Sequence, residues 1–227
     1  PSPNGEVNIR KRTAVTAEES RPGRRLDPAQ VQRGTLTGAR LIAFREQAAR
    51  ITIGYPDIEL AYHFPYSSEI ELIPRLQVAY GRGMSSEPKF FEAGTDARKE
   101  LVRKGKFAVA TFGSAFIHLN VNDEDTVHQA YTGSFGVGLG CPGIVATYAL
   151  KADIDLNLGL QIQNIFYMGD NFAAELNIPL SFGFEIELAS NTRLLQRTEI
   201  GPDIYINEGA GKTDFQLRTY LGVGYGF

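Results

Sequence analysis

Leu176, Ile178, Leu180, Phe182, Phe184, Ile186 and Leu188 take every second position of one stretch, with Glu175, Asn177, Ser181, Gly183, Glu185 and Glu187 among the residues between them. Successive side chains of a strand point to opposite faces, so this stretch is a strand with one apolar and one polar face. The same period returns along most of the chain after residue 50. Ile58, Leu60, Tyr62 and Phe64 alternate with Asp57, Glu59, Ala61 and His63. Ile70, Leu72, Pro74, Leu76, Val78 and Tyr80 alternate with Glu69, Glu71, Ile73, Arg75, Gln77 and Ala79. Phe107, Val109, Ala115, Ile117 and Leu119 oppose Ser114, His118 and Asn120, and Ile154 to Ile162 alternate with Asp153, Asp155, Asn157, Gln161 and Gln163. The class is therefore all-β and antiparallel.

A soluble sandwich also has one polar and one apolar face per sheet. Strand length separates the two options. Several segments alternate over about a dozen residues, where soluble strands average ~5–6 and a tilted membrane strand needs ~9–11. The apolar face carries almost no charge over that length, as lipid contact demands. The opposite face mixes Glu, Asp, Arg, Gln and Gly, which inside a small barrel pair with one another or with water. Tyr62, Phe64, Tyr80, Phe107, Phe166, Tyr167, Tyr225 and Phe227 gather near strand ends, as interfacial aromatics do. The expected fold is an antiparallel transmembrane β-barrel. Eight strands follow if residues 143–164, or 128–149, include one long strand. Ten follow if residues 35–46 form a strand and Cys141-Pro142-Gly143 is a turn.

Residues 1–50 hold ten Lys/Arg and five Asp/Glu, while the whole chain is net −3. Residues 1–34 lack a sustained apolar period, so they are expected to form a basic, irregular extension ahead of a barrel over 35–227. Within the barrel, residues 83–103 break the alternation, and the stretch DARKELVRKG is expected to be a short charged helix in a long connection. No apolar run approaches the ~20 residues of a spanning helix, and no leader precedes Pro1, as expected of a mature start. The acidic balance argues against a nucleic-acid partner. The single cysteine, Cys141, excludes an intrachain disulfide.

The closing residues TYLGVGYGF, the segment LAYHFPYSSEIELIPRLQVAY at 60–80 and ADIDLNLGLQIQ at 152–163 resemble small bacterial outer-membrane β-barrels. The YHF strand end and EVNI near the start are similar to the outer-membrane β-barrel domain family of myxobacteria and their relatives. The resemblance implies a Gram-negative outer-membrane location in contact with lipid and lipopolysaccharide. It also implies insertion by the barrel assembly machinery, which reads the last strand, here through Leu221, Val223, Tyr225 and Phe227.

Motifs for chemistry are weak. Gly138 to Gly143 matches GxGxxG, but Pro142 interrupts it and a strand-like run follows instead of a helix, so lumen-facing glycines explain it better than a dinucleotide site. Gly209-Ala210-Gly211-Lys212-Thr213 lacks the first glycine and the helix of a phosphate loop. Ser114 and His118 share one face, yet four residues along a strand span ~13 Å, too far for a nucleophile and its base. No cluster has metal-ligand spacing, and no cofactor is expected. The expected lumen network is Glu69, Glu71, Arg75, Asp153, Asp155, Glu175, Glu185, Glu187 and Arg218. The chain is thus expected to be a non-enzymatic anchor or docking component of an envelope complex, with residues 1–34 toward a periplasmic protein or peptidoglycan. The alternatives are a narrow porin-like channel and a lipid A-modifying hydrolase.

Overall fold

The computed structural model describes residues 34–43, 46–55, 57–80, 89–121, 135–168, 173–207 and 210–227. The segment 1–33 and the histidine at 128 lie outside them. Eleven antiparallel strands follow one another: β1 (Ala48–Tyr55), β2 (Asp57–Pro65), β3 (Ile70–Ala79), β4 (Lys89–Lys104), β5 (Phe107–Val121), β6 (Phe135–Ala149), β7 (Ile154–Met168), β8 (Ala173–Asn177), β9 (Leu180–Ala189), β10 (Thr192–Asn207) and β11 (Ala210–Gly226). Sequence neighbours pair except β8 with β9, and β11 pairs with β1 from Ala48↔Gly226 to Tyr55↔Thr219, which closes the sheet into a barrel. β8 and β9 share one place in the ring. Both lie between β7 and β10, and Pro179, which has no N–H for the ladder, separates them. Among the described residues, eleven strands therefore fill ten positions.

The eight-strand count is corrected to ten, and by a different route from the one the sequence offered. Residues 35–43 are not a strand. Cys141-Pro142-Gly143 is not a turn but part of a bulge inside β6, where the pairing with β5 steps from Ser114↔Gly140 to Phe112↔Gly143. The two unforeseen strands are β1 and β4. β4 occupies most of the stretch expected to be a charged helix, and it pairs along its whole length with β5.

The alternation holds around the ring. Outward residues are apolar and solvent-facing, among them Ile53 at 56%, Leu158 at 55% and Leu221 at 57% exposure. Tyr62, Phe64, Phe107, Tyr148, Tyr225 and Phe227 ring the end where Ala48 and Phe227 lie, and Tyr55, Tyr80 and Phe166 stand near the other end. Tyr167 departs from the expected belt. It is buried in the lumen, where its hydroxyl donates to Glu175 Oε2 at 2.7 Å. Links at the terminal end are short: 66–69, 105–106, 150–153 and 190–191. At the far end they are uneven: one residue at 56, two at 208–209, four at 169–172, nine at 80–88 and thirteen at 122–134.

The β6 bulge has a packing consequence. It inserts Cys141 and Pro142, both exposed, so Leu139 and Ile144 both stay outward while Gly140 and Gly143 both stay inward. The glycines of the GxGxxG match therefore line the lumen under side chains of β5. A Cβ on Gly143 would come within 2.5 Å of the Phe112 ring, and one on Gly138 would overlap the Phe116 ring.

Candidate functional site

Eight strands enclose just enough room for their own side chains, and ten enclose more. The surplus at the terminal end is filled by the chain's own segment Gly34–Ile42, which we call the cork. It is a loop closed on itself. Thr35 N donates to Arg40 O at 2.7 Å, and Thr35 Oγ1 donates to the same carbonyl at 3.1 Å. Gly34 and Ile42 lie against each other, since a Cβ on Gly34 would meet Ile42 N at 2.6 Å. The loop thus enters and leaves by one end of the barrel.

Loop backbone buried in a lumen needs partners for its N–H and C=O groups. The barrel wall supplies them. Glu185 accepts from Leu36 N at 2.9 Å, Thr37 N at 2.6 Å and Thr37 Oγ1 at 2.8 Å. Arg98 donates to Thr35 O at 2.7 Å and to Gly38 O. Arg50 donates to Leu36 O at 2.7 Å, and Arg193 donates to Gly34 O. Ala39 N donates to Thr147 Oγ1 at 2.6 Å. Side chains add to this. Ala39 packs with Ala108, Ala110 and Val145, Leu36 packs with Ala48 and Leu195, and Arg40 forms an ion pair with Asp155.

Above the cork lies a cavity of about 130 Å³, with Leu36, Thr37 and Gly38 in its floor. That is room for roughly four waters at about 30 Å³ each. Arg50, Arg75, Arg98, Arg197 and Arg218 line it, and so do Glu59, Glu92, Asp96, Glu175 and Glu199. Five guanidinium groups against five carboxylates leave the wall without a dominant sign, so a cation-preferring field is not built there.

The charges are paired across strands. Arg50 donates to Glu59 from Nη2 at 2.7 Å and Nε at 3.2 Å. Arg75 reaches Glu92 at 3.1 Å and Asp96 at 3.2 Å, and its guanidinium lies 5.0 Å from the Phe116 ring centroid. Arg98 reaches Glu71 at 2.7 Å, and Glu71 also holds His63 Nδ1 at 2.5 Å; both His63 and Glu71 are fully buried. Arg197 reaches Glu59 on β2 at 3.6 Å and Glu199 on its own strand at 3.1 Å, and it stacks 4.6 Å from the Tyr220 centroid. Such pairs satisfy buried charge and fix geometry more than they add stability.

Of the expected network, Glu71, Arg75, Glu175 and Glu185 are buried in the lumen, and Asp155, Glu187 and Arg218 are half-buried. Two residues are corrected. Glu69 sits in the exposed 66–69 link with Lys99 3.6 Å away, and Asp153 is exposed in the 150–153 link. Both fall beyond the strand ends, where alternation no longer assigns a face. The partners Arg50, Glu59, Glu92, Asp96, Arg98, Arg193 and Arg197 were absent from the expected set. Their inward positions follow the same period, but three of them lie in β4, which the sequence did not mark as a strand.

Ser114 and His118 both face the lumen, each with other partners. Ser114 Oγ accepts from Gln161 Nε2 at 2.9 Å. His118 is held by Glu92 at 2.9 Å and Asn120 at 2.8 Å, with Phe90 4.9 Å from its ring centroid. No metal-ligand group forms among the described residues.

No family model matches the chain, and no curated protein matches it. The myxobacterial-type likeness read from the sequence gains nothing from either comparison. Solved structures similar to it include the KdgM porin in complex with disordered oligogalacturonate, with TM-score 0.42 and 11% identity over 80% of this chain and 99% of that one. The KdgM porin alone gives 0.40 and 11% over the same shares. The outer membrane protease OmpT from Escherichia coli gives 0.42 and 9%, over 80% of this chain and 92% of that one.

Proposed function

We propose that this chain is an integral outer-membrane barrel that serves as an anchor or docking component, not as an open pore. The apolar outward belt, with aromatic residues toward both rims, supports membrane insertion. The two longest links, 80–88 and 122–134, both lie at the end opposite Phe227, which supports an extracellular far end. On this reading the cork faces the periplasm, and the basic segment 1–33 that precedes it is proposed to lie there too.

One observation carries the anchoring reading. The cork fills the terminal end of the lumen and has its buried backbone bonded to five strands. A lumen sealed by the chain itself is not built for free diffusion. Planar-bilayer recording of the full-length protein tests this: silence under sustained voltage is the expected result, and steady unitary conductance rejects it.

A second reading, a narrow channel opened when the cork withdraws, draws on the cavity above it. Under that reading, conductance appears only in variants that loosen the cork, such as Glu185→Ala, while the unaltered protein stays silent.

A further inference from the structure

Most of the hydrogen bonds that seat the cork read its backbone. Glu185 on β9, Arg98 on β4, Arg50 on β1, Arg193 on β10 and Thr147 on β6 make seven hydrogen bonds to main-chain atoms of Gly34–Ala39. Two consecutive N–H groups meet one carboxylate, and three guanidinium groups take four carbonyls. This is the chemistry of a peptide-binding site built on rigid strands.

Side-chain selection falls at five places. The Thr37 hydroxyl donates to Glu185 Oε1 at 2.8 Å and accepts from Asn157 Nδ2 at 3.0 Å, and Ala39 is fully buried against Ala108, Ala110 and Val145, so those positions take a hydroxyl and a small residue. A Cβ on Gly38 would come 2.7 Å from Thr35 Oγ1 and closer still to Asn157 Oδ1 and Thr147 Oγ1, so that position takes glycine. Leu36, two residues earlier, fills an apolar seat. Arg40, two residues later, pairs with Asp155. Because Gly34 and Ile42 lie together at one end, the loop can leave without any strand parting.

We propose that the terminal half of the lumen is a peptide-recognition site. Gly34–Ile42 is its resident ligand, and it accepts in trans a loop of the same chemistry: leucine, a hydroxyl residue, glycine, a small residue, arginine, entering from the terminal end. The proposal names what the docking reading leaves open, and rests on that reading for its biological use alone. The resident loop normally wins. It is tethered to β1 by residues 43–47, and short tethers give effective concentrations on the order of 1 mM. A competitor at ~10 μM then takes only about 1% of sites if the two affinities match.

The test uses the full chain in detergent. Gly38→Val unseats the resident loop and leaves every wall residue intact. A fluorescent peptide with the sequence of residues 33–43 is then titrated and its anisotropy read. The expected result is saturable binding to Gly38→Val, at least tenfold weaker binding to the unaltered chain and to Gly38→Val/Glu185→Ala, and at least tenfold weaker binding of a peptide carrying valine at the glycine position. A Gly38→Val barrel that is folded by heat-modifiable gel migration and binds neither peptide, or both alike, overturns the proposal.

If that variant does not fold, amide hydrogen exchange on the unaltered chain decides. Millimolar peptide must accelerate exchange at Leu36, Thr37 and Ala39 with dose, and unchanged rates overturn the proposal. Neither experiment reads conductance, so failure here leaves the anchoring reading to its own test.

Discussion

Leu36 occupies the space that a side chain on Gly224 would need: a Cβ on that glycine would lie 3.5 Å from Leu36 Cγ and overlap its Cδ1. The glycine-rich inner face of the last strand is thereby accounted for at one position. β11 is small there because the N-terminal loop lies against it.

Filling the gap should dislodge the loop while sparing the barrel. Overpacking typically costs ~1–3 kcal/mol. Gly224→Val is expected to speed amide exchange at Leu36 and Thr37 by about ten- to a hundredfold. Exchange in the β4–β5 ladder should not change, and equal acceleration at both sites would sink the idea.

Glu185 has a different vulnerability. It holds two backbone N–H groups and the Thr37 hydroxyl, and it receives Arg193 at 3.2 Å. Glu185→Ala leaves those donors and that guanidinium without their shared acceptor, for ~2–5 kcal/mol. Glu185→Gln keeps one acceptor oxygen and should cost clearly less. Urea unfolding in lipid vesicles ranks the two, and a Gln variant as unstable as Ala would show that the charge matters rather than the hydrogen bonds.

The Arg98–Glu71–His63 chain is a buried network, so its members should not behave independently. Arg98→Met alone strands the Glu71 carboxylate and is expected to destabilise by ~3–5 kcal/mol. The double variant Arg98→Met/Glu71→Gln should recover part of that loss, with a coupling of ~0.5–3 kcal/mol. Additive losses in a double-mutant cycle would contradict the pairing.

Position relative to the belt gives a sharp contrast. Leu158 stands outward with Ala146 and Phe182 as its cross-strand neighbours. Leu158→Arg is expected to cost ~2–4 kcal/mol in vesicles. Glu69→Ala, at the exposed rim pair with Lys99, should cost ~0–1 kcal/mol. Folding yield into vesicles checks both, and an arginine tolerated at 158 argues against lipid contact there.

The sequence made the barrel legible where the outer face is strongly apolar. The alternation in Ile58–Phe64, Ile70–Tyr80 and Leu176–Leu188 needs no structure to see. β4 escaped because its outward residues include Ala93, Thr95, Ala97 and Lys99, too weakly apolar to contrast with Glu92, Asp96 and Arg98 inside. β1 escaped because a single residue separates it from β2, leaving no turn to mark the boundary. The cork was illegible for a deeper reason. Its bonds join backbone to side chains as much as 159 residues away, as between Gly34 and Arg193, and no local pattern encodes such a partner. Its one trace was the run of glycines in β11, visible as small residues but silent about what covers them.

The seam between β1 and β11 joins the two ends of the folded sheet, and Leu36 straddles it. Arg50 on β1 holds its carbonyl, while Gly224, paired with Arg50 across the seam, makes room for its side chain. A ring that joined in a shifted register would part the guanidinium from the gap and leave Leu36 without a berth. The loop therefore gauges circumference and register, since the guanidinium and the gap meet Leu36 together only when the last strand is paired with the first as it is here.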